Sequence, residues 1–150
     1  MIKNSEINFK SQKPFEFKDI TEEVEKMVSE SKIKNGMVLV YSTHTTLAIC
    51  VNEKEKGIVN DFEKLIGKLV PKDGYYQHND LNLRTENLVC QSSASDCLNG
   101  HSHCTHLLMR NSETIPIIEG KMAMGIWQRI FAIELDCCRD RKVLLQVIGN

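Results

Sequence analysis

Three short runs of apolar and β-branched residues, 37–41, 47–51 and 143–147, constrain this chain most. Runs of this length and composition read as strands buried in a sheet. The last, Val143-Leu144-Leu145-Gln146-Val147, is nearly all apolar, which predicts cover on both of its faces. Two further short strands are expected at 2–9 and 14–18, where Phe15 and Phe17 alternate with polar neighbours. Near the C-terminus, segments 114–118 and 121–125 flank Glu119-Gly120, a two-residue hairpin turn. Strands at 129–136 and 142–148 follow, so the last third reads as an antiparallel meander.

Helical periodicity interrupts the strands twice. Residues 19–31 carry Val24, Met27 and Val28 on one stripe, with Asp19 or Thr21 as cap. Asn35-Gly36 ends that segment, and Gly36 is expected to supply the positive φ of the helix exit. Residues 54–70 repeat Ile58, Phe62, Leu65, Ile66 and Leu69 at the helical period, with Pro71 behind them. Segment 71–99 is polar and irregular, and ordered loops of that length are often functional. Asn99 or Ser102 then caps a short helix to about residue 110. Strand clusters broken by a few helices imply an α+β fold with a mainly antiparallel sheet. The 150 residues suit one domain spanning 1–150.

Charge and composition narrow the function classes. With 19 basic and 20 acidic residues interspersed, the chain carries no basic footprint for nucleic acid. Residues 1–10 hold no apolar secretory segment, and no apolar stretch approaches the ~20 residues that cross a bilayer. A cytoplasmic setting is expected. The six cysteines, Cys50, Cys90, Cys97, Cys104, Cys137 and Cys138, form no C-x-x-C pair and read as free thiols. The adjacent Cys137 and Cys138 could bind a soft metal or simply sit in a loop.

Five histidines are the first candidates for chemistry. His44 and His78 fall in or beside predicted loops, and His101, His103 and His106 cluster on the short helix. They offer several three-histidine sets but no compact ligand motif; by spacing alone they are as well explained as surface or structural groups. Among carboxylates, Glu53 ends one strand, Asp61 lies in the second helix and Glu134 in the penultimate strand. Alternation puts Gln128 and Glu134 on one face with Ile130 and Ala132 between them. Glu134 must therefore face solvent or meet a cation, metal or histidine. A lone Trp127 reads as core. Arg139 and Arg141 bracket the final turn as exposed groups suited to phosphate. The chain has no Walker loop, Rossmann glycine pattern or nucleophile elbow.

Several segments in order carry a family resemblance. They are Ser42-Thr43-His44-Thr45-Thr46-Leu47-Ala48, Val51-Asn52-Glu53, Asp61, Tyr76-Gln77-His78-Asn79 and Asn99-Gly100-His101-Ser102-His103. Thr114-Ile115-Pro116-Ile117, Glu119-Gly120-Lys121, Gly125-Ile126-Trp127-Gln128-Arg129-Ile130, Glu134-Leu135-Asp136 and residues 139–149 complete the set. In this order the chain resembles the YjbQ-like family, also called the secondary thiamine-phosphate synthase family. The resemblance implies an antiparallel sheet rolled toward a barrel, flanked by helices and assembled as a homotrimer. It also implies a transferase that joins a pyrimidine diphosphate to a thiazole phosphate and releases pyrophosphate. It singles out His44, His78 and His103 as a polar centre and candidate metal ligands, with an open fourth position that would suit zinc. Cys137-Cys138 departs from a Gly-Pro common in the family, and Met109-Arg110-Asn111 from a Leu-Leu-Gly-like stretch.

Three readings follow. In the transferase, Arg139, Arg141 and the helix opening near His101 bind the small phosphorylated substrate, helped by a divalent ion, with Gln128 beside it. In a metal-dependent hydrolase, metal on the three histidines generates hydroxide and Glu53 or Glu134 is the general base; His44 belongs to the catalytic set in either case. In the third, a non-catalytic trimer binds a small phosphorylated ligand.

Overall fold

The computed structural model describes residues 1–88 and 98–150. The chain runs β1 (Ile2–Lys10), β2 (Phe17–Asp19), α1 (Thr21–Ser31), β3 (Gly36–Ser42), β4 (Leu47–Glu53) and α2 (Lys56–Leu69). A 3-10 turn at Gln77–Asn79 precedes α3 (Gly100–Leu108), β5 (Ser112–Ile118), β6 (Lys121–Met122), β7 (Gln128–Glu134) and β8 (Asp140–Gly149). These strands form an antiparallel five-stranded sheet in the order β1-β8-β3-β5-β6 and an antiparallel three-stranded sheet in the order β2-β7-β4. One sheet curls into a half-barrel, so the expected α+β architecture holds.

The C-terminal strands do not form a meander. Only β5 and β6 pair as sequence neighbours, through Glu119 and Gly120 at φ 52° and 80°. Two successive positive φ values match the right-handed twist of the flanking strands. β7 instead crosses to the smaller sheet, and β8 inserts between β1 and β3. The reason is burial. Ile130, Phe131, Ala132, Ile133 and Glu134 are all buried, so β7 needs cover on both faces and occupies the centre of its sheet. Ile130 and Ala132 join the main core with Val24 and Val28 of α1, Val38 and Val40 of β3, and Val143, Leu145 and Val147 of β8. Phe131 and Ile133 face the other way, into a second cluster with Ala48 and Leu135. Phe17 stacks edge-on between Phe62 of α2 and Phe131 at centroid distances of 5.7 and 5.6 Å. Cover on both faces was expected of β8, but Leu144 and Ile148 stay 39% and 37% exposed in the chain.

Local signals are partly relocated. Asp19 Oδ1 accepts from the amide and hydroxyl of Thr21 at 3.1 and 2.7 Å, while Ile20 takes the N-cap position of α1. The left-handed residue at its exit is Lys32, at φ 60°, and not Gly36. Gly36 is needed for a different reason: a Cβ there would lie 2.0 Å from the Ile148 carbonyl oxygen on β8. Glu55 caps α2 by accepting from the amides of Gly57 and Ile58 at 2.6 and 2.9 Å. Trp127 is not core. It is 69% exposed on the turn before β7, which closes through a 3.0 Å bond from the Gln128 amide to the Gly125 carbonyl. Cys50, Cys104, Cys137 and Cys138 are free thiols; Cys90 and Cys97 lie outside the described residues. No described helix is long and apolar enough to cross a membrane.

Candidate functional site

The 3-10 turn and the opening of α3 bring two of the selected histidines together. His78 and His103 face each other with ring centroids 4.6 Å apart. Both line an open recess of about 620 Å³, with Thr45, Gln77, Arg84 and Asn87 in its wall. The α3 helix is held there by Asn79 Oδ1, which accepts from the Gly100 amide at 2.8 Å, and by Ser102 Oγ, which donates to the Leu135 carbonyl at 2.7 Å.

Arg84 is the cation of this recess. It donates to the carbonyls of His78, Glu86 and Asn87 at 3.3, 3.3 and 2.8 Å, contacts that fix its place in the wall. Its Nη1 also lies 3.1 Å from His78 Nε2. On the other side of that nitrogen, Asn99 Oδ1 stands at 3.2 Å. The Asn99 amide is oriented because its Nδ2 donates to Asp136 Oδ2 at 2.8 Å, and Asp136 in turn accepts from Arg139 Nε at 2.8 Å. His78 Nε2 is thus held between a donor, Arg84 Nη1, and an acceptor, Asn99 Oδ1. Burial lowers the pKa of His103, and the neighbouring His78 adds to that effect.

His44 lies elsewhere. It borders a separate recess with Phe9, Asp140 and Arg141, and its Nε2 accepts the Lys142 amide at 2.9 Å. Burial and then the charge of Arg141 hold its pKa low. Among the described residues, no three His, Cys, Asp or Glu side chains stand close enough to hold an ion. The residues of one chain thus do not fit a three-histidine zinc centre, since His44 has committed one ring nitrogen to the backbone.

The two arginines differ. Arg139 is half-buried in its pair with Asp136. Arg141, read from the sequence as an exposed group in a turn, is only 4% exposed. Its Nε donates to Glu134 Oε2 at 2.6 Å, its Nη2 to Glu134 Oε1, and Nη2 also to Thr46 Oγ1 at 3.0 Å. Glu134 thus meets a cation rather than solvent, with both oxygens engaged. Glu53 and Gln128 are exposed and face each other across β4 and β7, whereas Glu134 pairs with Leu47 at the opposite end of those strands. Six residues of strand put Gln128 about 20 Å from Glu134. Glu53, Gln128 and Glu134 are therefore not gathered in one chain, and Asp61 is exposed on α2. His101 lines a third cavity, and its Nδ1 is buried without a hydrogen-bond partner, as is Nε2 of His106.

Sequence reasoning missed Arg84. A single arginine in a polar segment has no periodicity to mark it, and only the fold brings it to His78. Asn99 and Asp136 lay inside the recognised segments, but as a cap and a strand end.

The sequence model of the family described as "UPF0047 protein YjbQ-like" matches residues 5–150. A UPF0047 protein of Archaeoglobus fulgidus is 35% identical over 95% of this chain and 99% of its own length. One from Methanothermobacter thermautotrophicus is 33% identical over 99% of this chain and 94% of its own. The crystal structure of a YbjQ-like protein of unknown function from Sulfolobus solfataricus superposes with a TM-score of 0.87 at 30% identity, covering 100% of this chain and 99% of that one. A YjbQ/UPF0047 structure from Clostridium acetobutylicum gives 0.81 at 34% identity over 96% of this chain and 99% of that one. With the motifs, the fold and these relatives in agreement, the chain belongs to the UPF0047 YjbQ-like family.

Proposed function

We propose that the recess between the 3-10 turn and α3 binds a small phosphorylated molecule and that its chemistry is transfer of the thiamine-phosphate synthase type. The observation that carries this reading is the fixed Arg84 guanidinium 3.1 Å from His78 Nε2, with His103 against the same imidazole. In such a transfer the carbon–oxygen bond of the pyrimidine diphosphate breaks and its electron pair leaves with pyrophosphate. The thiazole nitrogen forms the new bond to that carbon. What the protein must supply is stabilisation of the departing charge. Arg84 offers a fixed cation to the departing group, and the His78 and His103 imidazoles line the same recess. No strong base is required, which agrees with the engagement of both Glu134 oxygens by Arg141.

The test is pyrophosphate release from the pyrimidine diphosphate and thiazole phosphate, alongside direct pyrophosphate titration. Arg84→Ala should weaken pyrophosphate binding by about 1.5–3 kcal/mol, the scale of a hydrogen bond to a charged group. Unchanged affinity in that variant would remove the recess as the phosphate site. The non-catalytic reading predicts the same binding with no turnover. We also propose a homotrimer, which the resemblance implies and which gives a place to the exposed apolar side chains Ile2, Met37, Leu144 and Ile148 on the outer face of the larger sheet. Light scattering at micromolar concentration should return three times the chain mass, and a monomer mass would rule the trimer out.

A further inference from the structure

Cys137 and Cys138 are adjacent, exposed, and placed on the bend between β7 and β8. This bend is pinned from both ends. Before it, Glu134 is bound by Arg141 and accepts the Asp136 amide at 2.9 Å. After it, the Arg139 amide donates to Ser11 Oγ at 2.9 Å, and the Ser11 amide returns a 3.0 Å bond to the Arg139 carbonyl. The two thiols are therefore carried on neighbouring residues of a backbone anchored on both sides. The second attachment is then intramolecular, with the gain in effective concentration that linkage brings.

The surroundings add two features. Cys137 borders a cavity of about 240 Å³ whose wall includes Phe15, Val70 and Leu135. His101 lines the same cavity, with its buried Nδ1 lacking a partner. Cys138 Sγ donates to the Gln12 carbonyl at 2.7 Å, and burial followed by the charge of Asp136 pushes the Cys137 thiol up. A thiol raised in this way, as Cys137 is, is a poor target for alkylation, which needs thiolate. The pair suits a soft centre that condenses with two thiols at once.

We propose that Cys137 and Cys138 form a dithiol site for a trivalent metalloid or similarly soft ion, with the adjoining cavity receiving an apolar substituent on that centre. The reaction with a trivalent arsenical is a condensation. Two arsenic–sulfur bonds form, the arsenic–oxygen bond breaks, and the oxygen leaves as water with the two thiol protons. Arsenic remains trivalent, so no oxidant is needed. Occupying the site also acts at the His78 recess, because the bend carries Asp136, which orients Asn99 against His78. This second effect rests on the phosphate-binding reading above; the dithiol site itself does not.

The probe is phenylarsine oxide added to the reduced full chain and read by intact mass. One adduct per chain should form, less one water, surviving excess monothiol and reversed by a dithiol. Peptide mapping should place it across residues 137 and 138. Cys137→Ser and Cys138→Ser should each release the adduct at least about tenfold faster in monothiol, the advantage of linkage being lost. Cys104→Ser should not. An adduct mapping to other cysteines, or equal persistence in both serine variants, overturns the site. Pyrophosphate affinity should change several-fold when the adduct forms. A stable adduct on these two residues with unaltered pyrophosphate affinity overturns the coupling while keeping the site. Loss of all pyrophosphate binding in the untreated protein defeats the phosphate reading instead.

Discussion

Replacing Arg141 by alanine isolates the buried ion pair. The Arg141 and Glu134 side chains are only 3% and 1% exposed, so water cannot compensate Glu134 once its partner is gone. Removing one member of a buried pair typically costs about 3–5 kcal/mol, because a charge is left unpaired in a poorly polarisable interior. Thr46 also loses its donor, which adds to the penalty. In a domain of this size each kcal/mol lowers Tm by roughly 2–4 °C, so a fall of about 6–20 °C is expected. Urea titration is the better assay, since the midpoint should drop while the slope stays constant. Arg141→Lys should lose less, keeping a charge but not the two-pronged contact. Glu134→Leu with Arg141→Met should recover most of the stability, because an apolar replacement of similar volume avoids desolvating two ions. A loss below about 0.5 kcal/mol in Arg141→Ala would match an ordinary surface replacement and refute the burial reasoning.

Two further outcomes follow from the geometry. Burial lowers the pKa values of His44, His101, His103 and His106 below their ordinary value. The unfolded chain then binds more protons than the folded one once pH falls below about 6.5, so stability is full above that value and declines toward and through the folded pKa values. Thermal melts between pH 7.5 and 5.5 should show a falling Tm, and a flat or rising profile would contradict it. Gly36→Ala should break the end of β3, because the added Cβ would meet the Ile148 carbonyl oxygen at 2.0 Å and backbone must move. Amide exchange should accelerate first where β3 meets β8; unchanged protection there would show that the close approach is relieved without loss.

Much of the fold was legible where one residue pattern points one way. The stripe of α1, the Glu119-Gly120 hairpin and the polar stretch before α3 all have local causes. What was not legible depends on partners far along the chain. The centrality of β7 follows from its own five buried residues, but its run of Arg129 to Glu134 alternates too little to tell one-sided from two-sided cover. The apolar run in β8 is not matched by cover within one chain, where Leu144 and Ile148 stay partly exposed. Glu134 and Arg141 are seven apart, a separation with no meaning on a strand or helix until the bend folds them together. Trp127 shows the limit of composition, because a turn can hold out the residue type that cores most often take in. Of the site, His78 and His103 were readable through the recognised segments, while Arg84 and the separation of His44 needed the fold.

The order of the larger sheet has a consequence for how the protein is made. β8 sits between β1 and β3, yet it is the last of these strands to leave a ribosome. β3 ends at Ser42 and β8 begins at Asp140, and synthesis of the stretch between them takes on the order of 5–20 s. Throughout that interval β1 and β3 each present an open edge with nothing in the central slot, the kind of edge that recruits foreign strands. Nascent chains stalled before residue 140 should therefore bind holdase chaperones, and release should coincide with emergence of Val143, Leu145 and Val147, the residues that close the core.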